Sequence, residues 1–280
     1  MKRQLQINLV LALGVIALAW LVFFKPEPLA NAALHKLSTV SAGQVDEINI
    51  TTANQPRIVL RKKHNDWFLA EPFSARADAN RIESLLGVLS AQSEKRFAAK
   101  DLARYELDKP LAQLQLGNQT FSFGGIQPLS NQLYVLTQNS VYLISPVYFL
   151  DIAKPATAFV SKQLLDTQEI PVAFEFPHYT LTRQNGTWRR MPPAETFTQD
   201  SANAFADEWK HAQASSIQTA ATLVPAARVR ITLQSGKIIH VLFARADSEW
   251  QLLREEDGLL YRFPAAAGRN LLQPSFAPKH

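Results

Sequence analysis

The sequence predicts an α+β protein: one N-terminal transmembrane helix, then two tandem repeats, each a β-hairpin, one helix and an antiparallel β-meander. Three observations carry this reading. An unbroken apolar run fills residues 7–24. Two segments 121 residues apart share a strand, a turn dipeptide and a tryptophan. Each is followed by a period-3.6 stretch and then by period-2 stretches joined at turn dipeptides.

Residues 1–6 are a short tail with Lys2 and Arg3, expected to be cytoplasmic. Residues 7–24 read INLVLALGVIALAWLVFF, with Asn8 the one strongly polar side chain. At about 1.5 Å per residue this helix spans roughly 27 Å, close to the hydrocarbon thickness of a bilayer. Trp20 suits the interface, and Pro26 and Pro28 end the helix. Positive charge on the short side places the body, residues 26–280, outside the cytoplasm. A cleaved signal peptide is the rival reading, because Ala30-Asn31-Ala32 fits a small-x-small cleavage site. The run exceeds the ~7–15 apolar residues of a signal core, which favours an uncleaved anchor.

Residues 25–44 are expected to be a stalk, 45–152 the first repeat, 153–171 a linker with a short helix, 172–272 the second repeat and 273–280 a tail. Arg57 to Trp67 reads RIVLRKKHNDW, and His178 to Trp188 reads HYTLTRQNGTW. Leu60 and Leu181 each lie seven residues before a tryptophan, with Asn65-Asp66 and Asn185-Gly186 as turns. Such dipeptides favour a tight hairpin. Pro72 and Pro193 keep the same offset. In the first repeat Asp78 caps a helix with Ile82, Leu85, Leu86 and Leu89 on one face. In the second, Asp200 is the expected cap, with Phe205, Trp209 and Ala212 on one face. Period-2 stretches follow, turning at Gly117-Asn118 and at Ser235-Gly236. Each repeat then closes with a third strand pair: 133–136 with 141–144, and 250–253 with 259–261. Short connections imply antiparallel pairing.

Composition narrows the function. Of the formal net charge of +5, Lys2, Arg3 and Lys25 supply three, leaving 26 basic against 24 acidic residues. That balance lacks the concentrated basic face of a nucleic-acid binder. The absence of cysteine excludes disulfides, thiolate zinc sites and cysteine nucleophiles. The six histidines, His35, His64, His178, His211, His240 and His280, show no metal-ligand spacing. His64 and His178 belong to hairpins, and His240 to a strand that half-buries it. No nucleophile elbow, phosphate-binding loop or dinucleotide glycine pattern occurs; Gly124-Gly125 reads as a bulge or turn. Glu255-Glu256-Asp257 before Gly258 reads as a hairpin tip. Trp67 and Trp188 read as hairpin packing, with a polysaccharide- or lipid-binding pair as the alternative. No catalytic, cofactor-binding or metal-ligating residue is nominated.

The first repeat resembles a bacterial family known as domain of unknown function 4340. The resemblance rests on Trp67-Phe68-Leu69-Ala70-Glu71-Pro72, Ala77-Asp78, Tyr105-Glu106-Leu107-Asp108-Lys109-Pro110, Phe123-Gly124, and the meander from Tyr134-Val135 to Val141-Tyr142. It covers residues 37–150, more loosely the second repeat. The family often has glycine where this chain has Glu106, so the backbone there is left open. The resemblance implies a bacterial inner-membrane protein with one anchor and a periplasmic body, and some relatives accompany ABC-type transport systems, including gliding-motility ones. The expected function is a non-catalytic module that binds an envelope partner such as an ABC-transporter component, with the lipid bilayer engaged through residues 7–24. The alternatives are a glycan- or lipid-binding module using a cleft between the repeats, and an enzyme with a dispersed site.

Overall fold

The computed structural model describes residues 14–15, 34–219, 223–246 and 248–272. The expected cytoplasmic tail, the span 7–24 apart from Gly14 and Val15, and the tail 273–280 lie outside the described residues. Among the described residues no helix is long and apolar enough to cross a membrane.

The order of elements is β1 (His35–Lys36), β2 (Glu47–Thr52), β3 (Gln55–Lys63), β4 (Asp66–Glu71), β5 (Ala75–Arg76), α1 (Ala79–Leu86), β6 (Gln92–Ser93), β7 (Arg96–Ala98), β8 (Ala112–Leu116), β9 (Gln119–Gln127), β10 (Gln132–Thr137) and β11 (Ser140–Ile144). Then come β12 (Pro171–Glu175), β13 (Thr180–Gln184), β14 (Thr187–Met191), α2 (Gln199–His211), β15 (Ser216–Thr219), β16 (Ala227–Leu233), β17 (Ile238–Ala246), β18 (Glu249–Arg254), β19 (Leu259–Pro264) and α3 (Ala265–Leu272). The protein is mostly β-sheet with a few helices, an α+β fold. Two large sheets form, in the orders β5-β4-β3-β2-β8-β9-β10-β11-β7 and β14-β13-β12-β16-β17-β18-β19-β15. Their buried side chains belong to one contiguous core, running from Leu37 to Leu271.

Both tryptophan hairpins form with the same register, Lys62 opposite Trp67 and Arg183 opposite Trp188. The offset of 121 then slips. A bulge between Val59 and Leu60 gives β4 an extra residue, so Glu71 pairs with Val59 as Met191 pairs with Thr180. Pro72 thus stands just past this pairing as Pro192 does, rather than Pro193, and both follow a cis peptide bond.

Asp78 caps α1, its carboxylate accepting from the backbone N–H of Asn80 and Arg81. The cap of α2 is Thr198 rather than Asp200, since its hydroxyl accepts from the Ser201 N–H at the position the cap geometry requires. Asp200 instead sits in the first turn, favourable to the helix dipole. Counting from the caps, Ile82, Leu85 and Leu89 correspond to Ala202, Phe205 and Trp209, and all six are buried.

The described part of the expected stalk, 34–44, and the expected linker are built into the body. In the first, Leu37 is fully buried, β1 pairs with β6, and the Leu37 N–H donates to Ala91 O at 3.2 Å. In the second, Phe159, Leu164 and Leu165 are fully buried, and the Leu164 N–H donates to Ala212 O at 3.0 Å. The segment also bridges Ala77 to Val160 and Gln163 to Gln213, between the two halves. Pairings two residues long carry no period-2 signal, which is why the sequence reads as connector there.

Gly124 and Gly125 lie within β9 opposite the irregularity between Leu133 and Val135, so the expected bulge is present. The loop 105–107 crosses directly over them. A Cβ on Gly124 would stand 2.2 Å from the Tyr105 carbonyl oxygen. Glu106 turns that loop in the left-handed region at φ 56°, where glycine has no steric cost. Gly124→Ala must push the loop off the strand and is expected to cost about 1–3 kcal/mol in urea denaturation, as overpacking does. A cost indistinguishable from zero would mean the loop is not seated on β9.

Candidate functional site

The two tryptophans share a register but not an environment. Trp188 is sealed: its indole N–H donates to Asn203 Oδ1 of α2 at 3.0 Å. The Gln199 amide binds its backbone both ways, accepting from its N–H at 2.8 Å and donating to its carbonyl at 2.7 Å. This side chain stands where another strand would pair, closing the edge of β14. At the matching place in the first half β5 closes the edge of β4, and the Trp67 carbonyl accepts from the Ala77 N–H. Trp67 itself is only half-buried, and no hydrogen bond from its indole N–H occurs among the described residues.

A groove of about 540 Å³ opens beside it. Its walls are Val40, Trp67, Ile82, Leu86 and Leu89, with Ser41, Glu83 and Ser90 supplying the polar side chains. Helix α1 creates the space by being short. It ends at Leu86 and tightens into a 3-10 turn over Gly87–Ser90, whereas α2 runs 13 residues. Chemically the groove can accept an apolar or aromatic group on the indole face, with one carboxylate at the rim.

A second constellation lies where the halves meet. Arg254 and Glu169 form a two-pronged ion pair, at 2.7 Å from Nη2 to Oε1 and 3.0 Å from Nη1 to Oε2. Glu169 also accepts from Lys237 Nζ at 3.0 Å and from the Asp166 N–H at 2.8 Å. Arg254 Nη1 donates to Leu164 O, and Asp257 lies 3.5 Å from Arg254 Nε. From the first half, Arg76 donates to Gln163 O at 2.6 Å and faces Asp166 at 3.8 Å. Burial would raise the Glu169 carboxyl, but the hydrogen bonds and charge of Arg254 outweigh it and hold it at about 2. Burial raises the Asp257 carboxyl, with Arg254 and Arg76 only partly offsetting it. Burial pushes the Tyr261 hydroxyl up to about 12. Each of these three carboxylates faces an arginine, which ties the connector to both halves. A cavity of about 140 Å³ lies between the first hairpin and the connector, lined by Trp67, Arg76, Ser161 and Asp166.

The sequence-marked residues are dispersed. His64 and His178 stand in turns, His211 ends α2 with Nδ1 2.9 Å from Asp207 O, and His240 is half-exposed in β17 with Nδ1 3.5 Å from Glu256 Oε1. His280 lies outside the described residues. No group of three or more His, Asp or Glu side chains gathers as a metal site among the described residues. The 255–257 segment is a hairpin tip between β18 and β19, but it folds inward. Glu256 accepts from the His240 N–H at 2.7 Å, and the Asp257 side chain is largely buried. Sequence reading missed Arg254 and Arg190, although both occupy core-facing positions of alternating strands. An arginine in phase with an inward Leu252 or Trp188 was the available signal.

A family model described as Domain of unknown function (DUF4340) matches residues 67–227, more than half of the chain. The match begins at Trp67 and crosses the junction into β16, rather than covering residues 37–150. No curated protein and no solved structure matches the chain.

Proposed function

The chain belongs to the DUF4340 family, and from that premise we propose that it is a bacterial inner-membrane protein, anchored by residues 7–24, whose periplasmic body is a non-catalytic docking module for another envelope protein. The body is two diverged copies of one unit. Support for the duplication comes from the shared strand order, the common hairpin register, the paired hydrogen bonds 37–91 and 164–212, and the matched buried positions of α1 and α2. The observation that carries the docking reading is the divergence at one site: the second copy seals its tryptophan under a long helix, and the first leaves Trp67 open to an apolar groove. The resemblance to companions of ABC-type transporters makes a transport component the partner to expect.

One observation favours a second reading, a small apolar ligand. The groove's 540 Å³ falls in the ~300–1,000 Å³ range of small-molecule sites. That ligand would sit beside Trp67.

A photocrosslinking residue at Glu83 of the full-length protein, irradiated in cells, tests both. Docking predicts one discrete adduct with a membrane-transport protein, lost in the Trp67→Ala variant. Absence of any protein adduct, with a lipid or glycan recovered on the probe, would replace docking by the ligand reading. Absence of both overturns the groove as a site.

A further inference from the structure

Several large apolar side chains stand exposed at one end of the first sheet. Leu111 precedes β8, whose Ala112 pairs with Thr52 and Phe123. Ile126 lies near the end of β9 opposite Leu133, and Leu129 sits in the following turn, 95% exposed. Val147 and Leu150 stand one turn apart just past Ile144, where β11 ends. All five are exposed, the least of them by 47%. The opposite end of the sheet is polar, closed by the turns Gly117-Asn118 and Gln138-Asn139.

The path of the chain identifies what faces the apolar end. Ser38 binds Gln119 at 2.7 Å, and Gln119 binds Leu37 O and Thr137, so this segment lies at the polar end. Followed backwards, Lys36 pairs with Gln92, and His35 with Ser93. The Ser93 hydroxyl accepts from the Leu143 N–H, one residue short of the end of β11. The chain therefore runs from Ser38 towards the apolar end, where Leu34 is itself exposed. In the sequence, nine residues separate Leu34 from Phe24, the last residue of the apolar run. Nine residues reach at most about 30 Å.

We propose that this end of the first sheet seats on the lipid bilayer, with Leu129, Val147 and Leu150 entering its interfacial layer. The proposal rests on the anchored reading of residues 7–24 and adds to it an orientation for the whole body. A short tether from the membrane holds these side chains at high local concentration beside the lipid, so a contact too weak to recruit a free protein suffices. The apolar side chains are aliphatic and stand at a turn and a 3-10 segment, shallow features suited to a flat apolar layer rather than to a cleft. Seated this way, the polar turns at 117–118 and 138–139 point away from the membrane.

The chain has no cysteine, so single-cysteine labelling needs no background removal. Full-length protein carrying Leu129→Cys, Asn118→Cys or Val15→Cys is labelled with bimane and reconstituted in phosphatidylcholine–phosphatidylglycerol vesicles. Doxyl-labelled phosphatidylcholine, with the nitroxide near the headgroups, is the quencher. The seating predicts at least about twofold stronger quenching at Leu129 than at Asn118, because only interfacial groups meet the nitroxide. If Val15 is quenched by deep-labelled lipid while Leu129 matches Asn118, the seating is overturned and the anchor stands. If Val15 escapes deep-labelled lipid, the anchored reading fails and the seating fails with it.

Discussion

Replacing Trp209 by alanine is expected to cost about 3–5 kcal/mol, a large share of the ~5–15 kcal/mol that holds a domain together. The indole is fully buried. It contacts the rings of Phe174, Phe205 and Phe243 at centroid distances of 5.4, 6.3 and 6.0 Å. Its N–H donates to Leu271 O at 3.2 Å, fixing α3 against α2. Alanine therefore removes a large apolar volume that surrounding aromatics cannot collapse to fill, and orphans a helix-end carbonyl. Helix α3 also depends on close approach elsewhere, since a Cβ on Gly268 would stand 2.4 Å from the Trp250 ring. Trp67→Ala is the internal contrast. That side chain is half-buried, so its removal should cost clearly less. Urea denaturation of the full-length protein in mild detergent, followed by far-ultraviolet circular dichroism, measures both. A loss under about 1 kcal/mol for Trp209→Ala would place its indole outside the core.

The two tryptophan hairpins are the part of the fold most legible in the sequence. Leu60, the turn at 65–66 and Trp67 define a hairpin because turn chemistry and period-2 alternation are local, and the same holds for Leu181, Asn185-Gly186 and Trp188. Asp78 was readable as a cap for the same reason. Asp200 reads as the cap of α2, but Thr198 is the cap, because only the backbone geometry decides which residue's side chain meets the Ser201 N–H. Leu37 and Leu164 were hidden differently. Each sits in a short segment whose burial depends on a backbone partner far along the chain, the cap residues Ala91 and Ala212. The groove at Trp67 was illegible because its openness reflects the length of α1 against α2 and the placement of 40–42, none of which the tryptophan's own neighbourhood encodes. Arg254 and Glu169 are 85 residues apart and meet only once the connector packs between the sheets.

That meeting leads to the second large effect. Arg254→Met is expected to destabilise the protein by about 3–5 kcal/mol, because it strands a carboxylate in a site shielded from water. The Arg254 side chain is 4% exposed and Glu169 12%. Lys237, half-exposed, remains as the one side-chain cation hydrogen-bonded to Glu169 among the described residues and replaces little of the lost two-pronged geometry. Arg254 also carries the bond to Leu164 O, so the connector between the halves loosens with it. The pair further predicts an acid limb. Glu169 has its folded pKa lowered from 4.5 to about 2, so its contribution is fully present above pH 4.5 and is lost as pH falls from there towards 2. With the rim of the cluster open to water, that contribution is worth about 2 kcal/mol. Asp257 acts in the opposite sense. Its folded pKa is raised, so it favours the fold at acid pH and costs stability as pH rises above its unfolded value, partly masking the limb. The Arg254→Met variant should therefore lose most of the decline between pH 4.5 and 2.5 as well as stability at pH 7. Adding Glu169→Met to it should recover part of the loss, since it removes the stranded Glu169 charge and leaves Asp257 with Arg76 as its nearby cation. Were Arg254→Met to cost under about 1 kcal/mol, the range of exposed ion pairs, the junction would be held by its apolar contacts alone.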